Sequence, residues 1–283
     1  MKNRVESGIF AIVRFFTALF YTLLLSTLVS ACSSNQSEKI SLSGSSTVAP
    51  LAQEIAQRFE KLHPGVRVDV QTGGSSRGVN DVSKGLVDIG MASRQLKPQE
   101  SGLTPHTIAW DGISMIVNSS NPISSLTADQ VRAIYTGKIT NWRELGSFDK
   151  PIVVVNKAEG HSTLELFLNF YQLKSSDVQA QIIIGDNQQA LKTVAGNPYA
   201  IGYVSIGSAE YEASHKAPIK LLNLGDIAAN TNNVAKGVFP LSRPLNLLST
   251  KNTSKLAKEF IQFASSSQVN DIIEQQFFVP NAK

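Results

Sequence analysis

The chain has 283 residues, of which 42% are hydrophobic and 17% charged, and its formal net charge is +4 at pH 7. This composition is typical of a globular protein, and the charge is too small for an electrostatic nucleic-acid-binding surface. The single cysteine excludes an intrachain disulfide and a multi-cysteine zinc or iron–sulfur site.

The N-terminal segment has the pattern of a secretory signal. Basic residues precede an apolar run from Phe15 to Val29, about 15 residues, which is shorter than the roughly 20 that a transmembrane helix needs. The run ends in Val29-Ser-Ala-Cys32, which resembles the lipobox of bacterial lipoproteins; a buried structural cysteine is the alternative. We expect residues 1–31 to be a signal peptide, Cys32 to carry a lipid, and residues 32–39 to be a polar tether. The mature chain then lies outside the cytoplasmic membrane, on the inner face of the outer membrane if the host has two membranes.

Strands and helices alternate along the first third of the mature chain. We predict strands at residues 40–42, 66–70 and 86–89, and helices at residues 50–62 and from residue 77 onward. Three strands linked by two helical crossovers are typical of a parallel, doubly wound sheet.

The alternation continues after an extended run at residues 106–118. The pattern predicts further strands at 152–155, 181–184, 200–204 and 219–222, and further helices at 128–135, 162–173, 187–196, 254–264 and 267–276. We therefore expect an α/β protein of two lobes, each a doubly wound, mainly parallel sheet with flanking helices. Residues 40–112 and 225–283 form lobe I, residues 113–224 form lobe II, and the crossovers lie near 106–118 and 200–224.

Three predicted helices begin beside hydroxyl-rich loops. A helix N-terminus presents free N–H groups and a partial positive charge, so neighbouring hydroxyls complete an anion-binding cage. Simple helix capping is the alternative for each loop alone. Because the carboxyl ends of parallel strands meet at one sheet edge, two facing lobes could close on one small anion there. The loops are Ser45-Ser46-Thr47, Gly73-Gly74-Ser75-Ser76 and Gly160-His161-Ser162-Thr163.

Several longer motifs carry a family resemblance that spans nearly the whole mature chain. The most specific is Tyr135-Thr-Gly-Lys-Ile-Thr-Asn-Trp142; others are Ser43-Gly-Ser-Ser-Thr-Val48, Asp88-Ile-Gly-Met-Ala-Ser-Arg94 and Ala200-Ile-Gly-Tyr203. The chain resembles the extracytoplasmic phosphate-binding proteins of ABC-type phosphate uptake systems. The resemblance implies a periplasmic-binding-protein fold with two hinge crossovers. It also implies a monomer without cofactor or catalysis, which binds inorganic phosphate and delivers it to a membrane permease driven by an ATPase.

The resemblance also assigns site residues. Ser45, Ser46 and Thr47 fall on the first phosphate loop, Ser75 and Ser76 on the second, and Lys157, His161, Ser162 and Thr163 on the third. The third loop departs from the family pattern because a lysine stands where an arginine is usual, which replaces a bidentate clamp by a point charge. We expect His161 to donate to a phosphate oxygen; a loop histidine without that role is the alternative.

Two further residues are expected to complete the site. Arg94 could compensate for the missing arginine, and it stands where some relatives carry an aspartate. Phosphate keeps a proton near neutral pH and sulfate does not, so a buried carboxylate acceptor selects phosphate. Asp111 is the expected acceptor; a turn or hinge cap before Gly112 is its alternative role.

Two other functions stay open. One keeps the fold and changes the anion to sulfate, molybdate or tungstate. The other is a serine hydrolase, because Gly74-Ser-Ser76-Arg-Gly78 matches the nucleophile-elbow pattern between a predicted strand and a predicted helix. Ser76 would then be the nucleophile, Asp186 the orienting acid and His215 the base. No metal site is expected from the spacing of the histidines.

Overall fold

The computed structural model describes residues 38–281, so the predicted signal peptide, Cys32 and most of the tether lie outside the described residues. The described strands are β1 (Glu38–Gly44), β2 (Val66–Thr72), β3 (Ile89–Ala92), β4 (Thr104–Asn118), β5 (Ser125–Leu126), β6 (Val153–Lys157), β7 (Ile182–Ile184), β8 (Ala200–Ser205), β9 (Ile219–Leu221), β10 (Asn223–Leu224), β11 (Ser242–Ser249) and β12 (Val279–Pro280). The described helices are α1 (Val48–Leu62), α2 (Ser75–Ser83), α3 (Ala128–Tyr135), α4 (Ser162–Phe170), α5 (Asn187–Ala195), α6 (Ile206–Ser214), α7 (Thr231–Ala235), α8 (Lys255–Ala264) and α9 (Asn270–Gln275).

Ten strands form one mixed sheet in the order β2-β1-β3-β11-β4-β8-β6-β7, with β9 and β12 also paired to β4. The pairs β1–β3, β6–β8 and β6–β7 are parallel, whereas β11 runs antiparallel to β3 and β4, and β4 runs antiparallel to β8. A second small sheet joins β5 and β10. The predicted α/β fold is confirmed.

Helix α1 shows why these segments are helical. Leu51, Ile55 and Phe59 recur at a spacing of four, so they share one face, and all three are buried. The helix ends next to Pro64, which cannot continue it. Pro50 lies in the first turn, where its missing N–H costs no hydrogen bond.

Buried apolar side chains form separate clusters toward the two ends of the large sheet. One cluster packs α1 and α8 against β1, β3 and β11, and a second packs α3 and α4 against β6 and β8. Strand β4 contributes Ile108 and Ala109 to the first cluster and Ile113 and Met115 to the second. The central strand therefore connects the two cores.

The sequence prediction differs from the structure in several places. Strand β3 begins at Ile89, not at Leu86, which is 69% exposed. Elements that fall where we predicted no helix or strand are α6, α7, β5, β10, β11 and β12. Between Glu38 and Asn281, no helix is both long and apolar enough to cross a membrane.

Candidate functional site

The three hydroxyl-rich loops meet in the structure through a chain of buried side-chain hydrogen bonds. Ser45 Oγ donates to Ser93 Oγ at 2.9 Å, and Ser75 Oγ donates to Ser162 Oγ at 3.0 Å. Ser93 Oγ and Ser162 Oγ are 2.7 Å apart. All four serines are at most 3% exposed. Loops that are far apart in the sequence therefore present their hydroxyls to one another.

Arg243 lies at the centre of these hydroxyls. Its Nη1 donates to Thr163 Oγ1 at 2.8 Å and to Ser93 Oγ at 3.3 Å, and its Nη2 donates to Thr47 Oγ1 at 3.1 Å. The side chain is 1% exposed and reaches the loops from β11. Sequence reasoning missed this residue. We use the name hydroxyl cluster for Ser45, Thr47, Ser75, Ser93, Ser162 and Thr163.

Helix N-termini frame the hydroxyl cluster. Thr47 precedes α1, Ser75 begins α2, and Ser162 begins α4. The partial positive charges of three helices therefore point at one buried polar volume, which favours a negatively charged ligand. Ser46, also predicted for the site, lies half-buried in the turn before α1.

Asp111 has a different position from the one expected for a free proton acceptor. Its Oδ2 accepts from Arg243 Nε at 3.2 Å and Nη2 at 2.9 Å, and its Oδ1 accepts from the Gly207 backbone N–H at 3.2 Å. Burial lowers the pKa of Arg243, and the adjacent Asp111 carboxylate opposes that shift. The carboxylate therefore holds the guanidinium in place, and the expectation that it accepts a phosphate proton stays a prediction.

Lys157 ends strand β6 beside the start of α4, and its side chain is 2% exposed. The Nζ atom is buried with no hydrogen-bond partner. Burial, with a smaller contribution from the charge on Arg243, lowers the pKa of Lys157 to about 7. The lysine therefore introduces a second cationic group, one that can lose its charge.

His161 stands at the N-cap of α4 and is half-buried. Burial and the nearby Lys157 lower the pKa of its imidazole below the usual range. A neutral ring has one N–H to donate. The expectation that it donates to an anion stays a prediction.

Asn187, like Arg243 and Ser93, was not predicted from the sequence as a site residue. Its Nδ2 donates to Thr47 Oγ1 at 3.0 Å, and its Oδ1 is buried with no partner. The residue begins helix α5, whose N-cap is Asp186. The sequence predicts a strand followed by a helix here. The loop between them has no pair of adjacent hydroxyl residues, so it was not identified as an anion-binding loop.

Arg94 has other partners than those expected. Its Nη1 and Nη2 donate to the two oxygens of Glu100 at 2.8 Å, and its Nε lies 3.3 Å from Glu165 Oε2. Glu165 also pairs with Lys97 Nζ at 2.9 Å and accepts from Ser76 Oγ at 3.4 Å. The guanidinium of Arg94 and the hydroxyl of Ser76 are therefore engaged by carboxylates instead of completing the hydroxyl cluster.

These residues border a cleft of about 370 Å³ that reaches Arg243. Arg94, Lys97, Trp110 and Glu165 line it together with Arg243. Trp110 is 36% exposed, so its indole faces this opening. The cleft connects the buried guanidinium with the outside of the molecule.

A backbone contact fixes the second and third loops against each other. The Ser76 N–H donates to the Gly160 carbonyl oxygen at 3.1 Å. Gly74 has a φ of +89°, and a Cβ placed there would lie 2.7 Å from that same oxygen. The glycine is required both for its backbone conformation and for the close approach of the loops.

The hydrolase alternative is not supported by this geometry. His215 is exposed, and its Nδ1 contacts the Tyr211 carbonyl oxygen at 2.7 Å, while Asp186 caps α5 by accepting from the Gln189 N–H. Within the described residues, no hydrogen bond joins Ser76 to a histidine, and no cluster of three or more metal-ligating side chains occurs. The three residues of this alternative triad therefore have separate structural partners.

Comparison with known proteins gives consistent matches. The family model for the PBP superfamily domain matches residues 29–268. The phosphate-binding protein PstS of Bacillus subtilis is 29% identical over 249 residues, covering 86% of this chain and 81% of that protein. PstS of Borreliella burgdorferi is 26% identical over 268 residues, covering 91% of this chain and 95% of that protein.

Two crystal structures extend this similarity to the fold. A substrate-binding protein of Clostridium perfringens assigned to phosphate ABC transport, with bound phosphate, is 32% identical with a TM-score of 0.81 and covers 87% of this chain and 100% of that one. An ABC-type phosphate transport receptor from Vibrio cholerae is 32% identical with a TM-score of 0.69, covering 86% and 100%. The chain belongs to the PBP superfamily.

Proposed function

We propose that this protein binds inorganic phosphate outside the cytoplasmic membrane and delivers it to an ABC-type phosphate permease. The similarity to the phosphate-binding protein PstS of Bacillus subtilis and to the phosphate-bound protein of Clostridium perfringens supports this proposal. So does the signal-like N-terminal sequence. The protein acts in this proposal as a binding protein and not as an enzyme.

The observation that carries the proposal is the guanidinium of Arg243 within the hydroxyl cluster. A tetrahedral oxyanion needs several donors distributed around it, and hydrogen bonds to an ionised acceptor are shorter and stronger than neutral ones. Hydroxyl groups can turn from one another to donate to such an anion. Three helix N-termini add N–H donors and a favourable potential.

The charge balance of the site also favours an anion. Asp111 is the counter-charge of Arg243, whereas the buried amine of Lys157 has no hydrogen-bond partner and can take up a positive charge. A bound anion would supply both the charge and the acceptors that Lys157 lacks.

We further propose that lobe I (residues 40–112 and 225–283) and lobe II (residues 113–224) close on the phosphate. The hydroxyl cluster and Asn187 draw residues from both proposed lobes: Ser45, Thr47, Ser75 and Ser93 from lobe I, and Ser162, Thr163 and Asn187 from lobe II. Closure would bury the anion and create the surface that a permease recognises.

Calorimetric titration of the purified protein, refolded to remove bound anion, tests the proposal with phosphate and then sulfate at pH 7. We expect one phosphate per chain and no heat from sulfate. Thr163→Val should weaken phosphate binding about 10–100-fold, since it removes a hydroxyl that would bond to an anion. Thr193→Val, on α5, is the matched control. Binding of sulfate, molybdate or tungstate in preference to phosphate would keep the fold and change the ligand.

We also propose that a lipid on Cys32 holds the monomeric protein at the membrane. Metabolic labelling with a radioactive fatty acid tests the anchor. The wild-type protein should incorporate label and fractionate with membranes, whereas Cys32→Ser should do neither. Label in the Cys32→Ser variant would contradict the assignment.

A further inference from the structure

Lys157 differs from the other polar groups around Arg243 because nothing in the described residues bonds to its amine. The Nζ atom is fully buried and has no acceptor, although the neighbouring hydroxyls and Arg243 all have partners. A buried ammonium without acceptors is far more costly than a buried neutral amine. The free protein therefore favours the uncharged form of this side chain.

The groups that face Lys157 come from several elements. Arg243 from β11 repels its positive charge, Asp186 at the N-cap of α5 attracts it, and the charge on Lys157 in turn lowers the pKa of His161 at the N-cap of α4. On β8, the Tyr203 hydroxyl lies 3.4 Å from the Lys157 backbone N–H. Asp111 forms an ion pair with Arg243. Burial and Arg243 together outweigh Asp186, since the pKa of Lys157 falls to about 7.

A dianion placed among the hydroxyl cluster would reverse this balance. It would bring negative charge next to Nζ and oxygen acceptors for its N–H groups, and both stabilise the ammonium. We propose that the amine of Lys157 binds the phosphate and takes up a proton as it does so. This inference rests on the proposed function, because it concerns how the same site holds phosphate.

The proton balance is explicit. Above neutral pH, the neutral amine, one proton from solvent and the hydrogen phosphate dianion combine to give an ammonium paired with the dianion. Near neutral pH, the dihydrogen phosphate monoanion supplies that proton itself, and the amine is then the proton acceptor.

Proton-linked calorimetry tests the inference. Phosphate is titrated into wild type and Lys157→Arg at about pH 8.5, each in two buffers of different ionisation enthalpy, because an arginine stays charged at this pH. We expect wild type to take up about one proton more than Lys157→Arg. Lys192→Arg, an exposed lysine on α5, should match wild type. We also expect wild-type affinity to fall about tenfold per pH unit above neutral pH, while that of Lys157→Arg changes less.

Equal proton uptake by wild type and Lys157→Arg, with both binding phosphate, would overturn the inference and leave the proposed function standing. A wild type that binds no phosphate at any pH would overturn the proposed function itself. If Lys157→Arg does not fold, the titration of ¹³C-labelled lysines in wild type decides. One lysine that titrates near neutral pH, and at a higher pH once inorganic phosphate is added, supports the inference. Titration of every lysine at about pH 10.4 overturns it.

Discussion

Arg243 and Asp111, which are 132 positions apart in the chain, form a buried ion pair in which two guanidinium nitrogens donate to the same carboxylate oxygen. Both side chains are 1% exposed. The pair joins β11 to β4 and holds the guanidinium within the hydroxyl cluster. The position of the principal cation of the site therefore depends on one carboxylate.

Asp111→Asn should destabilise the free protein by about 3–5 kcal/mol, because it leaves a buried guanidinium without a counter-charge. Phosphate in excess should recover part of this loss, since an anion bound next to Arg243 replaces the missing charge. Chemical denaturation with and without phosphate measures both effects. Asp149→Asn, whose side chain is 70% exposed, is the control and should change stability little. If Asp111→Asn loses the same unfolding free energy with and without phosphate, an anion site at Arg243 is contradicted.

Glu165→Gln should increase the dissociation rate of phosphate. The carboxylate of Glu165, on α4, lies 3.3 Å from Arg94 Nε and 2.9 Å from Lys97 Nζ, so it joins α4 to the segment after β3. Because these groups are only partly exposed, we expect the dissociation rate to rise about 3–10-fold, more than the loss of a surface ion pair would cause. Stopped-flow displacement of bound phosphate provides the measurement. Glu144→Gln, at an exposed carboxylate that does not line the cleft, is the comparison, and equal rates in both variants would contradict the assignment.

Gly74→Ala should weaken phosphate binding and also lower stability. The substitution combines an unfavourable φ of +89° with a Cβ that would lie 2.7 Å from the Gly160 carbonyl oxygen. Gly85→Ala separates the two effects, because Gly85 has a φ of +68° and nothing within 4 Å of the added carbon. We expect Gly85→Ala to lose about 1–2 kcal/mol of stability, and Gly74→Ala to lose more because of the added contact. Only Gly74→Ala should lose affinity in calorimetric titration, and a matching loss in Gly85→Ala would argue against the loop contact.

The lowered pKa of Lys157 should be visible in the pH dependence of stability. The pKa of its amine is about 7 in the folded chain and 10.5 is the ordinary value, so between these pH values the unfolded chain holds a proton that the folded chain lacks. Raising the pH through this window removes that advantage of the unfolded state, so the free energy of unfolding rises, by at most about 1.4 kcal/mol per pH unit. Lys157→Met removes this contribution.

Urea denaturation between about pH 7 and pH 10 measures the difference. Wild type should gain stability relative to Lys157→Met as the pH rises, and Lys157→Met should be the more stable variant at pH 7. Lys192→Met, at an exposed position, controls for the loss of one lysine. Parallel curves for wild type and Lys157→Met would mean that Lys157 keeps its ordinary pKa in the folded chain.

Most of the fold could be predicted because apolar spacing and turn residues agree along the chain. Helix α3 occupies residues 128–135 as predicted, since the Thr127–Gln130 capping box marks its start. Strand β11 was missed because Pro244 lies within it, and a proline argues against a central strand. In the structure β3 pairs only with residues 246–248, so Pro244 lies beyond the end of that neighbour.

The same proline explains why Arg243 was missed. Without a strand at residues 242–249, nothing in the sequence brought this arginine near loops located 80 to 196 positions earlier. The hydroxyl-rich loops themselves could be predicted, because the strand–loop–helix pattern is local. The partners of Arg94 could not be predicted. Its guanidinium pairs with the carboxylate of Glu100, six residues later, and the sequence spacing alone does not indicate that ion pair.

The two tryptophans occupy opposite environments. Trp142 is fully buried in a core cluster, whereas Trp110 is partly exposed in the cleft next to Arg243 and Glu165. Indole fluorescence depends on local polarity and solvent contact. We therefore expect the emission of Trp142 to stay constant, while the emission of Trp110 changes with its surroundings in the cleft. Trp110 is thus an intrinsic optical probe of the surroundings of Arg243 that needs no attached dye.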